Sequence, residues 1–505
     1  MGGPLAKDRA VVVIGAGTMG SGIAEVAAAA GHVVWLRDAS EAALARGLST
    51  IRKGLDKRVE RGRLDAAARD AILERIRPME GVTDLSAVGL VIEVIVEDLD
   101  AKVAVLKHIE PQLPADAIVA TNTSSLSVTA LGGRLGRPER VVGMHFFNPA
   151  TLLPLVEVVS GHATAPDVAQ AIMDTARAWG KVPVACRSTP GFIVNRVARP
   201  YYGEALRLLQ EQAATPATLD AVMRDSGGFR MGPCELMDLI GHDVNFAVTR
   251  SVYEAFFHDP RYRPSLIQKD LVDAGWLGRK SGRGFYDHRE GATPPPAHDA
   301  GSGVEPSLVQ IEGHLGPASA LAPLIAGSGR ETVSDADGRG LLRVDGHALA
   351  LTDGRTATQR SVELGEPLVL FDLALDYGSA TRIALSVSAH AGAEHVERAV
   401  GLFAALGKRV SLVADAPGLV VMRTVAMLVN EAADAVQQGI ASEADVDAAM
   451  QKGVSYPIGP LAWGRRIGFD RVLQVLQHLA EAYGEDRYRA SPWLRHEVLA
   501  AAPLR

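Results

Sequence analysis

The chain has 505 residues, 47% of them apolar and 22% charged, and a formal net charge of -7. These values exclude a disordered or fibrous protein and give no electrostatic basis for a nucleic-acid partner, while the length calls for several separate cores. Two cysteines, Cys186 and Cys234, exclude a disulfide framework and read as inert core thiols in a reducing compartment. No uncharged apolar run reaches the roughly 18 residues of a membrane helix. The opening Met1-Gly-Gly-Pro-Leu-Ala6 lacks a secretory apolar stretch. A cytoplasmic chain with no membrane, nucleic-acid or metal partner is expected.

Residues 1–187 read as an α/β domain. Apolar runs at Val11–Ile14, Val33–Leu36, Leu90–Val96, Ile118–Ala120, Val141–Met144, Leu155–Val159 and Val182–Ala185 alternate with helical stretches, the pattern of a parallel sheet covered on both faces. Gly15-Ala-Gly17-Thr18-Met19-Gly20 follows the first run and opens a helix, so the glycine pattern has the strand before it and the helix after it that a dinucleotide site requires. The first glycine makes the tight turn, the second lets the backbone approach a pyrophosphate, and the third lets helix and strand pack closely. Asp38, at the end of the second run, stands where a carboxylate accepts both ribose hydroxyls and repels a 2′-phosphate, which favours NAD. It also suits the start of the turn before Glu41. Residues 41–77 are charged, alanine-rich and helical in spacing up to Pro78, which predicts a helical hairpin projecting from the sheet.

Glu93, Glu97 and Lys102 lie near the mouth of the sheet, where the carboxylates read equally as solvated strand-end residues or as site residues. Thr121-Asn122-Thr123-Ser124-Ser125 follows a strand, at the edge where open α/β sheets bind ligands, though a serine-rich turn also caps helices. In Met144-His145-Phe-Phe-Asn148-Pro149, His145 ends a strand, and a turn containing Pro149 and Pro154 reverses or redirects the chain. Glu157 then interrupts an apolar strand with a charge. A buried carboxylate needs a partner, and an imidazole paired with one has its tautomer fixed and its other nitrogen made a better base.

Residues 188–288 change to amphipathic helices, with Thr215-Pro216 as cap and first helical position. Residues 289–329, with Pro294-Pro-Pro296 and Gly301-Ser-Gly303, read as a linker. Residues 330–414 read as a reduced α/β module without a glycine-rich loop. Residues 415–505 repeat the helical domain at a constant offset of 227: Gly180-Lys181 matches Gly407-Lys408, Pro190-Gly191 matches Pro417-Gly418, Glu204 matches Glu431, and Gly232-Pro233 matches Gly459-Pro460. Met422 falls opposite Asn195, so the second copy is expected to be non-catalytic.

Gly15-x-Gly17-x-x-Gly20, Glu93-x-x-x-Glu97, Asn122-Thr-Ser124-Ser-Leu126, His145-Phe-Phe-Asn148-Pro149, Leu155-Val-Glu157-Val and Thr189-Pro-Gly-Phe-Ile-Val-Asn195-Arg196 together resemble the 3-hydroxyacyl-CoA dehydrogenase family, over residues 10–286. The resemblance implies a Rossmann-type NAD domain followed by a helical domain that pairs subunits, and oxidation of an L-3-hydroxyacyl-CoA with NAD. It makes His145 the catalytic base and Glu157 its orienting carboxylate, with Ser124 and Asn195 bonding the substrate oxygens. It places Asp38, Glu97, Lys102, Asn122, Ser124, Asn148 and Lys280 at NAD, beside Gly15, Gly17, Thr18, Met19 and Gly20. Lys53, Lys57 and Arg61 on the hairpin are candidates for the CoA phosphates, or a solvated helix face. The duplicated layout is similar to long-form members acting on 3-hydroxybutyryl-CoA or 3-hydroxyadipyl-CoA, in fatty-acid and phenylacetate breakdown, and implies a homodimer or a pseudo-dimer formed in cis. Pro154 departs from the family pattern, where many members carry lysine. Two other readings stand beside this one: a dehydrogenase of free hydroxy or sugar acids, and a non-catalytic NAD-binding protein.

Overall fold

The computed structural model describes residues 3–79 and 84–503. The first stretch comprises strands β1 (Ala10–Ile14), β2 (Val34–Arg37), β3 (Ile76–Pro78), β4 (Val88–Glu93), β5 (Ile118–Thr121), β6 (Val141–Phe146), β7 (Leu155–Ser160) and β8 (Val182–Arg187). Between and after them lie helices α1 (Thr18–Ala29), α2 (Glu41–Glu60), α3 (Ala66–Arg75), α4 (Leu99–Ile109), α5 (Val128–Gly132), α6 (Pro166–Ala178) and α7 (Val194–Val197). Then come α8 (Arg199–Gln210), α9 (Pro216–Asp225), α10 (Pro233–Ile240), α11 (His242–Ala255) and α12 (Leu266–Asp273). The next segment carries β9 (Leu308–Glu312), α13 (Leu321–Ala326), β10 (Glu331–Asp335), β11 (Leu341–Val344), β12 (His347–Leu351), α14 (Ala357–Leu364), β13 (Leu368–Phe371), β14 (Arg382–Val387), α15 (Ala393–Ala405) and β15 (Arg409–Leu412). The chain finishes with α16 (Val421–Gln437), α17 (Glu443–Gly453), α18 (Pro460–Ile467), α19 (Phe469–Tyr483) and α20 (Pro492–Ala501).

Two compact units result. One runs to Arg196 and includes Gln438–Val454; the other is Val197–Gln437 with the chain from Ser455 onward. In the first, an eight-stranded sheet has the order β3-β2-β1-β4-β5-β6-β7-β8. Val11, Val13, Ile92, Val142 and Val158 alternate onto one face, where they close over Ile23 and Ala27 of α1 and Ile172 of α6. The sheet is not wholly parallel: β7 runs antiparallel to β6, and β8 is parallel to β7. The reason is length, since a parallel crossover takes a dozen or more residues and the connection 147–154 is shorter. The helical hairpin is laid down rather than free-standing. Leu44, Ile51 and Leu55 of α2 and Ile72 of α3 join the domain core, and Glu25 of α1 bonds Arg58 at 2.9 Å. From the second helical copy, α17 belongs to this unit, where Gly453 lies against Leu155 and Val194.

In the second unit a seven-stranded sheet has the order β10-β9-β11-β12-β13-β14-β15. The stretch 289–329 is therefore more than a linker: Leu308–Glu312 pairs with both β10 and β11. Its alternating Val309 and Ile311, both buried, are the apolar positions that place it there. The strand pattern β5 to β8 recurs, because β12–β13 is parallel, β13–β14 antiparallel and β14–β15 parallel. At the 227 offset Asp372 falls opposite His145. Its carboxylate takes amide hydrogen bonds from Leu373, Val420, Val421 and Met422, and burial pushes its carboxyl up to about 6 against those amides. Among the described residues no helix is long and apolar enough to cross a membrane. Both cysteines are free and buried.

Candidate active site

The strand register assembles the central pair. In the β6–β7 ladder His145 stands directly opposite Glu157, so the reversal that the short connection imposes brings the two side chains together. His145 Nδ1 is 2.7 Å from Glu157 Oε2. A carboxylate only accepts, so Nδ1–H donates and Nε2 is left with its lone pair. Glu157 is fully buried and His145 is 6% exposed. The other Glu157 oxygen accepts the amides of Ile193 at 3.0 Å and Val194 at 2.9 Å. Three donors thus satisfy a carboxylate that would be costly alone in the core. These amides open α7, reached through Gly191 and Phe192, both at positive φ. Glu157 therefore ties the histidine strand to the segment carrying Asn195, which is half-buried. Phe147 and Phe192 flank the imidazole, with ring centroids at 4.6 and 5.8 Å.

A second network stands at the ends of β4 and β5. Glu97 accepts Thr123 Oγ1 at 2.6 Å and the amides of Ser124 and Ser125 at 2.9 and 3.0 Å. Burial raises the Glu97 carboxyl, but the Thr123 hydroxyl, the Lys102 charge, the Ser124 amide and the Ser125 hydroxyl outweigh it and hold the group below its ordinary value. Lys102 is 1% exposed. Its ammonium lies 2.8 Å from Glu93, 3.3 Å from Glu97 and 3.3 Å from the Ile95 carbonyl. This corrects the sequence reading of Lys102 and decides between the two readings of Glu93. Lys102 has its three protons committed within the protein and acts by holding Glu97, and Glu93 is not a solvated strand end but the buried partner of Lys102 and Thr121. Asn122 Oδ1 accepts the Phe146 amide at 2.8 Å and pins β6 to the serine loop. The run Thr121–Ser125 was marked in the sequence, but the bonds of Thr123 and Ser125 to Glu97 and the two amides at the start of α7 were not. Hydroxyl residues flanking Ser124 were the available signal.

The glycine loop fits a dinucleotide. A Cβ on Gly20 would lie 1.8 Å from the Gly15 carbonyl oxygen, and one on Gly15 would lie 2.5 Å from that of Val94. Gly17 differs: its φ of -69° suits any residue and its Cβ would meet nothing within 4 Å. The fold does not need glycine there, whereas a pyrophosphate approaching the backbone does. The first turn of α1 carries no side-chain cap and no acid, which leaves its amides available to an anion. Thr18 is exposed and Met19 half-buried beside them. Asp38 accepts the Ala16 amide at 2.8 Å and the Ser40 amide at 3.0 Å, so it holds the loop and starts the turn, with lone pairs left over. We expect Gly17→Val to weaken NAD binding about tenfold or more with an unchanged unfolding transition. A fluorescence titration with NADH checks this; undiminished affinity would remove the loop from the site.

Asn148 is exposed beside the turn. Lys53 and Lys57 of α2 and Arg61 at its C-terminal cap are exposed, and none forms an ion pair among the described residues. Lys280 lies in the second unit, in an ion pair with Asp243 at 2.5 Å. Among the described residues no cluster of potential metal ligands occurs.

Comparison with known proteins agrees along the whole chain. The 3-hydroxyacyl-CoA dehydrogenase NAD binding domain matches residues 10–189, and the corresponding C-terminal domain matches twice, at 191–288 and 418–503. The 3-hydroxybutyryl-CoA dehydrogenase reduced Rossmann-fold domain matches 349–417. The 3-hydroxyadipyl-CoA dehydrogenase of Escherichia coli (strain K12) is 45% identical over 97% of this chain and 98% of its own. The crystal structure of 3-hydroxybutyryl-CoA dehydrogenase from Escherichia coli K12 covers 98% of this chain and 99% of its own, at 43% identity and a TM-score of 0.89. The mitochondrial hydroxyacyl-coenzyme A dehydrogenase of Sus scrofa is 38% identical over 55% of this chain and 91% of its own. The chain belongs to the 3-hydroxyacyl-CoA dehydrogenase family and is an NAD-dependent oxidoreductase.

Proposed function

We propose that the chain oxidises a short-chain L-3-hydroxyacyl-CoA, such as 3-hydroxybutyryl-CoA or 3-hydroxyadipyl-CoA, to the 3-oxoacyl-CoA, with His145 as general base. The observation that carries this reading is the buried His145–Glu157 pair, 2.7 Å apart. Bound NAD supplies the hydride acceptor. His145 Nε2 takes the proton of the substrate hydroxyl as the carbon–hydrogen bond breaks, and Glu157 stabilises the imidazolium that forms. Ser124 and Asn195 donate to the substrate's hydroxyl or thioester oxygens, which positions the carbon and polarises the carbonyl. Glu97, charged and held by Lys102, fixes the Ser124 loop. Lys53, Lys57 and Arg61 meet the CoA phosphates.

Paired contacts in the second unit support a cis pseudo-dimer. Arg487 lies 3.7 Å from Glu204 and Tyr488 bonds Glu204, while Arg261 lies 3.5 Å from Glu431 and Tyr262 bonds Glu431. That is the self-complementary pattern of a two-fold interface. The second helical copy, lacking a His145 or Asn195 equivalent, serves pairing and not catalysis.

Steady-state NADH formation from 3-hydroxybutyryl-CoA, 3-hydroxyadipyl-CoA and long-chain 3-hydroxyacyl-CoA tests the substrate assignment. The first two are expected to give the higher kcat/KM; a clear preference for long chains would refute it.

A further inference from the structure

The reduced α/β module in the second unit holds a cavity of about 230 Å³ that the reaction above does not use. Its place follows from the sheet. Because β12 to β15 repeat the directions of β5 to β8, the loop after β12 occupies the topological position of the Thr121–Ser125 loop, at the carboxyl edge where open α/β sheets take ligands. In the first domain that loop offers hydroxyls and amides. Here it reads Thr352-Asp353-Gly354-Arg355-Thr356, and the lining is basic: Arg339, Arg355, Arg360 and Arg471 face a single carboxylate, Asp353.

The neutralisation is incomplete. Arg355 bonds both Asp353 and Glu363. Arg360 donates to the Leu351 carbonyl at 2.7 Å and lies 3.5 Å from Asp353. Burial and the like charges of Arg355 and Arg471 depress the Arg360 guanidinium below its ordinary value, in spite of Asp353. Arg471, on α19, and Arg339, in the turn before β11, form no ion pair among the described residues. The Arg471 guanidinium lies against Gly316, where a Cβ would come within 2.9 Å of it. Guanidinium groups held this close repel one another, and a bound anion relieves that repulsion. The apolar lining is limited to Leu315 and Leu351, and no phenylalanine, tyrosine or tryptophan lines the cavity, whose one ring is the imidazole of His314. Recognition therefore rests on the anionic group, and planar forks match phosphoryl oxygens two at a time.

We propose that this cavity is an anion site for the diphosphate group of a small molecule, met either as free pyrophosphate or carried on a nucleotide such as coenzyme A. Four guanidiniums against one lining carboxylate leave a charge excess suited to a multiply charged anion, and the volume is that of about seven or eight waters.

The test is isothermal titration of the full-length chain with sodium pyrophosphate at low ionic strength, the parent and the cavity variants being compared so that any uptake at the α1 loop is common to all. One equivalent is expected to bind. Arg471→Ala, which loses no ion pair within the protein, should weaken binding about tenfold or more, with an unchanged circular dichroism spectrum. Lys107→Ala, an exposed lysine on α4 of the other unit, should leave binding unchanged. Coenzyme A added as competitor distinguishes the sources: displacement assigns a nucleotide-borne group, and persistence of bound pyrophosphate assigns the free anion. Absence of binding in the unmodified chain, or undiminished binding by both Arg471→Ala and Arg360→Ala, would overturn the proposal.

Discussion

Replacing His145 by glutamine lowers turnover about 100-fold to 10,000-fold, the usual contribution of a positioned general base. The substitution is chosen to isolate that role. Glutamine keeps N–H donors beside Glu157 in a side chain of similar size, and the amides of Ile193 and Val194 still satisfy the other carboxylate oxygen. It offers no nitrogen lone pair basic enough to take the hydroxyl proton. The glycine loop, α1 and Asp38 are built on β1 and β2 and owe nothing to His145. NAD affinity is accordingly expected to stay within twofold or so of the parent, and the loss to fall on kcat. Steady-state assays with NADH titrations separate the two quantities. Normal turnover in His145→Gln would remove the histidine from the chemistry.

Arg423→Ala is expected to cost about 3–5 kcal/mol of stability, the range for stripping one partner from a buried ion pair. Arg423 is fully buried and Glu204 is 1% exposed. The guanidinium reaches Glu204 at 2.7 Å, Glu211 at 3.0 Å, the Tyr483 hydroxyl at 2.8 Å and that of Tyr488 at 3.0 Å. Its removal leaves the Glu204 charge inside α8 and α16 with Arg487 at 3.7 Å as the nearest remaining cation. A double variant, Arg423→Met with Glu204→Met, should recover much of the loss, because replacing both charges by apolar groups of similar size removes the stranded carboxylate. Denaturant unfolding followed by circular dichroism measures both. A loss below about 1 kcal/mol in the single variant would show that water reaches the pair.

The sequence made the catalytic strand legible through one anomaly, a charge at Glu157 in an otherwise apolar strand. Burial makes such a charge demand a partner, and His145 was the residue within reach. The glycine loop was equally plain, because its three positions have distinct steric duties. Other features lay beyond it for physical reasons. Lys102 was placed at the cofactor by the family resemblance, and only the packing of α4 on β4 shows its ammonium on Glu93. The Gly- and Pro-rich stretch after Tyr286 hid β9, since a single five-residue strand carries little signal beside such neighbours. The helical repeat was readable at a fixed offset, yet its α/β counterpart was not. Asp372 does with one carboxylate, receiving the Val420 and Val421 amides, what Glu157 does with those of Ile193 and Val194. No residue identity marks that equivalence.

NADH formation from 3-hydroxybutyryl-CoA and from free 3-hydroxybutyrate, measured side by side for the parent chain and His145→Gln, bears directly on the pairing of this base with a thioester substrate. The account predicts rapid reduction by the parent on the thioester, a drop of two orders of magnitude or more in the variant, and negligible reduction on the free acid by either. Equal use of the free acid by the parent, or an undiminished rate in the variant, would contradict it.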